Sequence, residues 1–130
     1  IDHFKKVNDT HGHQCGDHIL KAVTSKIAAS IRNTDFLVRY GGEEFCSVLP
    51  ETSFEAAALL AERFRRSIED SDFVFKDVTL KITISLGVSG LDKDNNTPEL
   101  LIKKADESLY EAKRTGRNRV VAHAINLTEP

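Results

Sequence analysis

The chain has 130 residues, enough for one domain with a real core and too few for two. Its net charge of −2 excludes a generally basic protein that coats nucleic acid, and two cysteines are too few for a disulfide framework. No apolar run approaches the ~20 residues that a membrane-spanning helix needs. We therefore expect a cytoplasmic domain, whose parent protein can still be membrane-attached.

The chain begins without Met, and its first residues look like the middle of an element. We expect a domain cut from a longer protein, with its N-terminal part missing. Residues 1–4 predict the end of a strand, and the Asn, Asp and Gly residues within 8–12 predict a turn. A helix follows, with Asp17 as a candidate N-cap. Its apolar residues recur at helical spacing: Ile19, Leu20, Val23, Ile27 and Ile31.

A hairpin is predicted next, around the sequence RYGGEEFC at 39–46. One strand covers 36–40 and the other 45–49, where Pro50 stops it. The sequence TSFE at 52–55 has capping-box spacing and opens a helix that runs to residue 68. Strict alternation of apolar and polar residues over 78–89 then predicts a strand with one buried face.

The last predicted helix has Thr97 as its N-cap and Pro98 at its first position, and it closes at Gly116. A final strand covers 119–123. Antiparallel hairpins mixed with helices predict an α+β domain with a mostly antiparallel central sheet flanked by helices. The βαββαβ order of ferredoxin-like folds fits its core.

The hairpin tip has an unusual composition, because Gly41 and Gly42 are followed by Glu43 and Glu44. Glycine permits positive φ and lets a ligand approach the backbone closely, and Mg²⁺ usually takes one or two carboxylates plus substrate phosphates. The tip can therefore hold a metal and a phosphate. The alternative is a solvated acidic turn, which is common.

Three stretches resemble the GGDEF family of diguanylate cyclases: IDHFKKVNDTHGHQCGD, RNTDFLVRYGGEEF and ADESLYEAKRTGRN. Their order and spacing match the family, in which GGEEF is a regular variant. The resemblance implies a nucleotidyl-cyclase palm over residues 1–124, followed by a tail at 125–130. The family has a metal-binding Asp immediately before the position of Ile1, and this sequence starts one residue too late to include it.

The resemblance implies that two GTP molecules condense into cyclic di-GMP with release of pyrophosphate, across a homodimer. It also implies Mg²⁺ or Mn²⁺, with two ions per active site. Glu43, Glu44 and the backbone carbonyl of Ile1 would be metal ligands, and Glu43 would assist deprotonation of the attacking hydroxyl. Lys5 would act with the catalytic groups.

Asn8 and Asp17 match the family's guanine-binding pair. A carboxylate can accept from N1–H and N2–H₂ of guanine, and Asn can address another edge of the base. His13 would help to shape this pocket. The alternatives are structural, because Asp17 can be an N-cap, Asn8 can be a turn residue, and a lone His near a turn is more often structural.

Phosphate groups would be held from two segments of the chain. Phe4 and Lys5 match a position where the family uses backbone N–H groups and the Lys. Lys113 and Arg117 match the family's triphosphate-binding residues at the end of the last helix. Cations at a helix C-terminus also interact favourably with the helix dipole, which is the simpler explanation for these two residues.

Arg32 and Asp35 form an Arg-x-x-Asp sequence that resembles the family's inhibitory product-binding site, and Arg63 falls where the family often supplies a further arginine. Guanidinium groups pair with phosphate or stack on guanine. A surface ion pair is the alternative.

Two other functions stay open at this stage. An inactive domain could sense cyclic di-GMP or GTP without making product, although all signature residues present in the chain are intact. A cyclase of another nucleotide could use the same fold, although Asp17 disfavours adenine. An upstream sensory or regulatory domain is expected in the parent chain.

Overall fold

The computed structural model describes residues 1–123. Over that range the elements in chain order are α1 (Phe4–His11), α2 (His13–Ala28), β1 (Phe36–Arg39), β2 (Phe45–Val48), α3 (Phe54–Glu69), β3 (Phe73–Phe75), β4 (Val78–Leu80), β5 (Leu86–Val88), α4 (Pro98–Arg114) and β6 (Val120–Ala122). The domain boundary expected at residue 124 and the tail expected over 125–130 lie outside the described residues. Within the described range, no helix is long and apolar enough to cross a membrane.

The strands form three two-stranded ladders. β1–β2 and β3–β4 are antiparallel, and β5–β6 is parallel. The α+β class with mostly antiparallel pairing is therefore confirmed, although the ladders are separate rather than one continuous sheet. Between β4 and β5, the Asp2 amide donates to the Thr83 carbonyl at 3.0 Å, which places the start of the chain beside residues 81–85.

The core lies between α2, α3 and the strands that follow α3. Its buried members are Val7, Cys15, Ile19, Val23, Ile27, Phe64, Ile68, Phe73, Ile82 and Ile84. The apolar stripe predicted for the first long helix is buried at Ile19, Leu20, Val23 and Ile27. Ile31, the last predicted member, lies beyond the end of α2 at Ala28 and is half-buried. Burial also alternates at Ile82 and Ile84, as the sequence pattern over 78–89 predicts. The single strand predicted there is nevertheless divided, because residues 81–85 lie outside β4 and β5.

The predicted strand at 1–4 and turn at 8–12 are wrong, because residues 4–11 form α1. Asn8 and Asp9 are poor helix formers, but Val7 is buried in the core and the Gly12 amide donates to the Asn8 carbonyl at 2.8 Å. Tertiary packing therefore overrides local propensity. The turn is confined to Gly12, whose φ of 90° favours glycine.

The N-cap predicted at Asp17 is also wrong. α2 begins at His13 with Gly12 as its N-cap, so Asp17 lies in the second turn. The helix starts earlier because Cys15 is completely buried against the core and the Gly16 amide bonds to the Gly12 carbonyl. The capping explanation for Asp17 is thereby removed.

The other helix starts follow the sequence closely. Thr97 caps α4 by accepting from the Leu100 amide, with Pro98 at the first helical position. For α3 the cap is Ser53, which accepts from the Ala56 amide, one residue later than the capping-box spacing predicts. Thr52 is instead engaged by the Arg32 guanidinium.

Candidate active site

Two adjoining cavities lie between α1, the β1–β2 turn and the end of α4. The first has a volume of about 330 Å³ and is lined by Phe4, Lys5, Asn8, His13, Asp17, Leu20, Arg39, Gly42 and Glu43. The second has about 470 Å³ and is lined by Ile1, Asp2, His3, Phe4, Lys5, Lys6, Asp9, Glu43, Lys113 and Arg117. Phe4, Lys5 and Glu43 line both, so a ligand longer than either cavity can occupy the two together.

The first cavity contains the predicted base-binding residues. Asn8 comes from α1, while His13 and Asp17 lie one helical turn apart on α2. Gly16 makes this arrangement possible, because a Cβ built on it would lie 1.8 Å from the Asn8 side-chain oxygen. The absence of a side chain at Gly16 lets Asn8 pack onto α2, a role that sequence reasoning missed.

The β1–β2 turn closes tightly over residues 40–44. The amides of Tyr40 and Gly41 both donate to the Glu44 carbonyl, at 2.8 and 3.2 Å. Arg39 holds the other side, with Nε donating to the Gly41 carbonyl at 3.1 Å and Nη2 to the Gly42 carbonyl at 2.7 Å. Arg39 was not singled out from the sequence, and its role depends on the turn geometry.

The expectation that the two glycines serve for positive φ is not met, because the glycines with positive φ in the described chain are Gly12 and Gly116. A Cβ on Gly41 would lie 3.4 Å from a Glu44 carboxylate oxygen, which is about an ordinary van der Waals contact. A Cβ on Gly42 would meet no atom within 4 Å. Gly42 therefore leaves open space at the wall of the first cavity.

Glu43 and Glu44 lie at the tip, near the start of the chain. The Ile1 nitrogen lies 3.2 Å from the Glu43 carbonyl oxygen, and Glu44 Oε1 lies 3.7 Å from Lys113 Nζ. Glu43 is exposed and Glu44 half-buried. The segments that carry the predicted metal ligands are thus brought together, although residues 1–123 contain no cluster of three or more His, Cys, Asp or Glu side chains that could hold a metal ion.

This donor set fits a magnesium ion that is shared with a substrate. Carboxylate and carbonyl oxygens are hard ligands, and Mg²⁺ typically completes its shell with water and phosphate oxygens rather than with a full set of protein groups. Glu43, Glu44 and the Ile1 carbonyl are the residues that would hold it. Lys113, beside Glu44, adds a positive charge for phosphate in the same place.

The second cavity collects groups suited to anions. α1 begins at Phe4 without a side-chain cap, so the first-turn amides of α1 have no side-chain partner in the described structure. Lys5 lies in that turn, and Lys113 and Arg117 reach the cavity from the end of α4. A helix N-terminus with three cations around it is a favourable environment for phosphate.

The three residues predicted for product binding lie outside both cavities. Arg32 forms a two-pronged ion pair with Asp35, and its Nη2 also donates to the Pro50 carbonyl at 2.8 Å. The Arg32 guanidinium lowers the pKa of the Asp35 carboxyl. Arg63 is exposed on α3. It lies ten residues after the Ser53 cap, which is about 15 Å from that cap along the helix axis.

Comparison with known proteins identifies relatives of the whole chain. The sequence model of the family described as diguanylate cyclase, GGDEF domain, matches residues 1–119. The chain is 43% identical over 127 residues to diguanylate cyclase A of Treponema denticola, covering 98% of the chain and 34% of that protein. It is 44% identical over 126 residues to the response regulator PleD of Caulobacter vibrioides, covering 95% and 28%. The chain thus spans about a third of these relatives' lengths.

Solved structures share the fold. The active GGEEF domain of a diguanylate cyclase from Vibrio cholerae superposes with a TM-score of 0.87 and 35% identity, covering 97% of this chain and 80% of that one. The GGDEF domain of DgcB from Caulobacter crescentus, in complex with c-di-GMP, gives a TM-score of 0.87 with 36% identity, covering 94% and 72%. The palm architecture expected from the sequence is confirmed. This chain belongs to the GGDEF family of diguanylate cyclase domains.

Proposed function

We propose that this domain condenses two GTP molecules into cyclic di-GMP and releases pyrophosphate. The observation that carries the proposal is the junction of the two cavities at Phe4, Lys5 and Glu43. On one side of the junction are groups suited to guanine, and on the other are groups suited to phosphate. A nucleoside triphosphate has the same succession of chemistry along its length.

The first cavity would select guanine. The Asp17 carboxylate accepts from N1–H and N2–H₂, the Asn8 amide addresses another edge of the base, and His13 lines the same wall. Adenine lacks the donor pair that Asp17 needs. Sites built on hydrogen bonds reject analogues that lack the matching group by ~10⁴-fold or more. The position of Asp17 inside α2, away from the cap, supports this role.

The second cavity would bind the phosphates. Amides of the first turn of α1 at Phe4 and Lys5 donate to the terminal phosphate oxygens, and the Lys5, Lys113 and Arg117 side chains balance their charge. Gly42 has no side chain, so the backbone of the turn can come close to the nucleotide. Gly41 packs beside the Glu44 side chain in the same turn.

The hairpin tip would carry the metal site. Glu43, Glu44 and the Ile1 carbonyl would hold Mg²⁺ or Mn²⁺, and two ions per site are what the family resemblance implies. A bound cation neutralises charge on phosphate oxygens and lowers the pKa of the attacking hydroxyl. Glu43, exposed and lining both cavities, is placed to take the proton from that hydroxyl.

Two domains are needed for one reaction. The described chain has one guanine-binding set and one phosphate-binding set, so each domain presents one GTP. In a homodimer the 3′-hydroxyl of each GTP attacks the α-phosphorus of the other. Each attack forms a phosphodiester bond and breaks the bond to pyrophosphate. The parent chain would add a sensory or regulatory domain, since the curated relatives are about three times as long.

Product would inhibit the enzyme at Arg32, Asp35 and Arg63. The DgcB domain was solved with c-di-GMP, and the Arg32–Asp35 pair lies away from both cavities. The Arg32 side chain is 55% exposed, and its contacts with Pro50 and Thr52 are both made by Nη2. Arg32→Ala should keep turnover and remove inhibition by added cyclic di-GMP, and inhibition that persists unchanged would refute this assignment.

The decisive experiment uses the full-length parent protein with GTP and Mg²⁺, and follows cyclic di-GMP by chromatography. Glu44→Ala should abolish product, whereas Glu55→Ala, an exposed glutamate of α3 outside both cavities, should leave it unchanged. Product formed equally well by Glu44→Ala would remove the metal assignment. A wild-type protein that binds cyclic di-GMP and never forms it would instead be a sensor.

A further inference from the structure

Asp2 is a buried carboxylate at the edge of the second cavity, with a relative exposure of 6%. Its oxygens accept from the Thr83 hydroxyl at 2.8 Å, the Ser85 hydroxyl at 2.6 Å and the backbone amide of Asn118 at 3.0 Å. With three donors on one buried carboxylate, Asp2 is fully engaged inside the protein. It follows Ile1 directly, and its partner Asn118 directly follows Arg117.

Arg117 lies in an unusual stretch of backbone. Gly116, Arg117 and Asn118 all have positive φ, at 129°, 63° and 47°. The Arg117 amide donates to the Ala112 carbonyl at 2.9 Å, which is the long bond of a Schellman motif ending α4. Arginine has no intrinsic preference for this conformation, so the surrounding contacts must hold it there.

Those contacts come from three directions. Asp2 holds the Asn118 amide, and Arg119 Nε donates to the Arg117 carbonyl at 3.0 Å. From α3, Arg65 Nη1 donates to the Asn118 side-chain oxygen at 3.0 Å. Arg65 is itself held by ion pairs to Glu62 and Glu69, and its side chain is 15% exposed.

We infer that Asp2, Asn118 and Arg65 form a hydrogen-bonded network that orients Arg117 toward the phosphate-binding cavity. Asp2 fixes the backbone of Asn118, and Arg65 fixes its side chain. Arg117 directly precedes Asn118, so these contacts also hold Arg117 in its left-handed conformation. The same carboxylate ties the Ile1 segment to residues 83 and 85, so one residue sets two walls of the cavity. Asp2 is a positioning residue and not a metal ligand in this arrangement. The inference rests on the proposed role of Arg117 in binding phosphate.

The test measures binding by calorimetry on the full-length parent protein with Mg²⁺. The probes are the α,β-methylene analogue of GTP, which carries three phosphates and cannot react, and guanosine, which carries none. For Asp2→Ala we expect about tenfold weaker binding of the triphosphate analogue and unchanged binding of guanosine. A general loss of structure would weaken both ligands equally and would overturn the inference.

Asp2→Asn is the matched variant. Its amide oxygen can still accept from the Asn118 amide and the Thr83 hydroxyl, while its NH₂ donates to the Ser85 hydroxyl. It should therefore restore triphosphate binding to within about threefold of wild type. If Asp2→Asn loses as much as Asp2→Ala, the charge of Asp2 matters rather than its hydrogen bonds, and the positioning role is wrong.

A double-mutant cycle with Arg117→Ala separates this inference from the proposed function. If Arg117→Ala leaves triphosphate binding intact, the proposed phosphate site fails. If Arg117→Ala weakens binding and Asp2→Ala adds its full effect in the double variant, only the positioning inference fails. We expect little further loss in the double variant, because Asp2 acts through Arg117. Should Asp2→Ala not fold, Asn118→Gly replaces it, since Gly keeps the left-handed backbone and removes the side chain that contacts Arg65 and Glu69.

Discussion

The two cavities are built in different ways. The guanine side uses Asn8, His13 and Asp17, which lie within ten residues on two consecutive helices. The phosphate side joins Ile1, Glu43 and Arg117, which are separated by most of the described chain. The α1–α2 contact around Gly12 brings the predicted base-binding residues together, although the β1–β2 turn supplies the opposite wall of that cavity. Under the proposed function, base recognition therefore depends mainly on neighbouring segments, whereas phosphate and metal binding depend on long-range packing.

The largest expected effect is a loss of stability in Gly87→Ala, which disturbs the long-range packing of α4. A Cβ on Gly87 would lie 2.2 Å from the Ala105 carbonyl oxygen and 2.4 Å from the Leu109 nitrogen, both backbone atoms of α4. Since backbone cannot move aside easily, β5 and α4 must separate. We expect a loss of about 3 kcal/mol in the free energy of unfolding, measured by urea denaturation. A loss below about 0.5 kcal/mol would show that α4 is not held by this contact.

Gly42→Ala should behave in the opposite way. The new methyl group meets no protein atom within 4 Å, so stability should stay within about 0.5 kcal/mol of wild type. The methyl group would occupy space that the nucleotide needs, and we expect kcat/KM for cyclic di-GMP formation to fall about 100-fold. A variant with normal turnover would mean that the ligand does not approach this part of the turn.

On the guanine side, Gly16→Ala pushes against the Asn8 side chain, with a Cβ 1.8 Å from its oxygen and 2.9 Å from its Cγ. Asn8 can rotate, so the fold should survive, but the base loses a partner. We expect about a tenfold rise in the Kd of guanosine and a smaller preference for GTP over ATP in competition binding. Unchanged guanosine affinity would show that Asn8 does not contact the base.

The smallest effect is expected far from both cavities, at the Arg32–Asp35 pair. Since Arg32 lowers the pKa of Asp35 in the folded state, the pair stabilises the protein above the ordinary pKa of 3.8 and loses that contribution as the pH falls through the lowered value. Asp35→Asn should therefore destabilise the protein at pH 7, and the loss should shrink as the pH falls below 3.8, in denaturant unfolding. Asp77→Asn, on the exposed turn between β3 and β4, is the control. An equal loss at pH 7 and below pH 3.8 would exclude the ion pair as the cause.

Sequence periodicity and turn chemistry predicted the elements whose signals are local. The β1–β2 hairpin, the Thr97 cap and the buried alternation near Ile82 are all recovered. α1 was missed because its Asn and Asp residues favour turns in isolation, while burial of Val7 decides the outcome.

In the candidate site, too, only some of the residues could be predicted from the sequence. Motif resemblance supplied the residues that line the cavities, but not those that hold them in position. The role of Gly16 depends on a neighbouring helix, that of Arg39 on the closed turn, and that of Asp2 on a partner 116 residues away. Such roles have no period or spacing in the sequence, because they arise from tertiary geometry.

Helix α1 is eight residues long and contributes to both cavities, with Phe4 and Lys5 at its start and Asn8 one turn later. Phe4 and Asn8 are therefore about 6 Å apart along the helix axis, and under the proposed function this rise sets the distance between the phosphate-binding and base-binding groups. Inserting a single residue between Lys5 and Asn8 would swing the amide about 100° around the helix axis. Because Val7 lies between Lys5 and Asn8 and is buried in the core, such an insertion would disturb the packing of α1 as well as the spacing of the residues that line the two cavities.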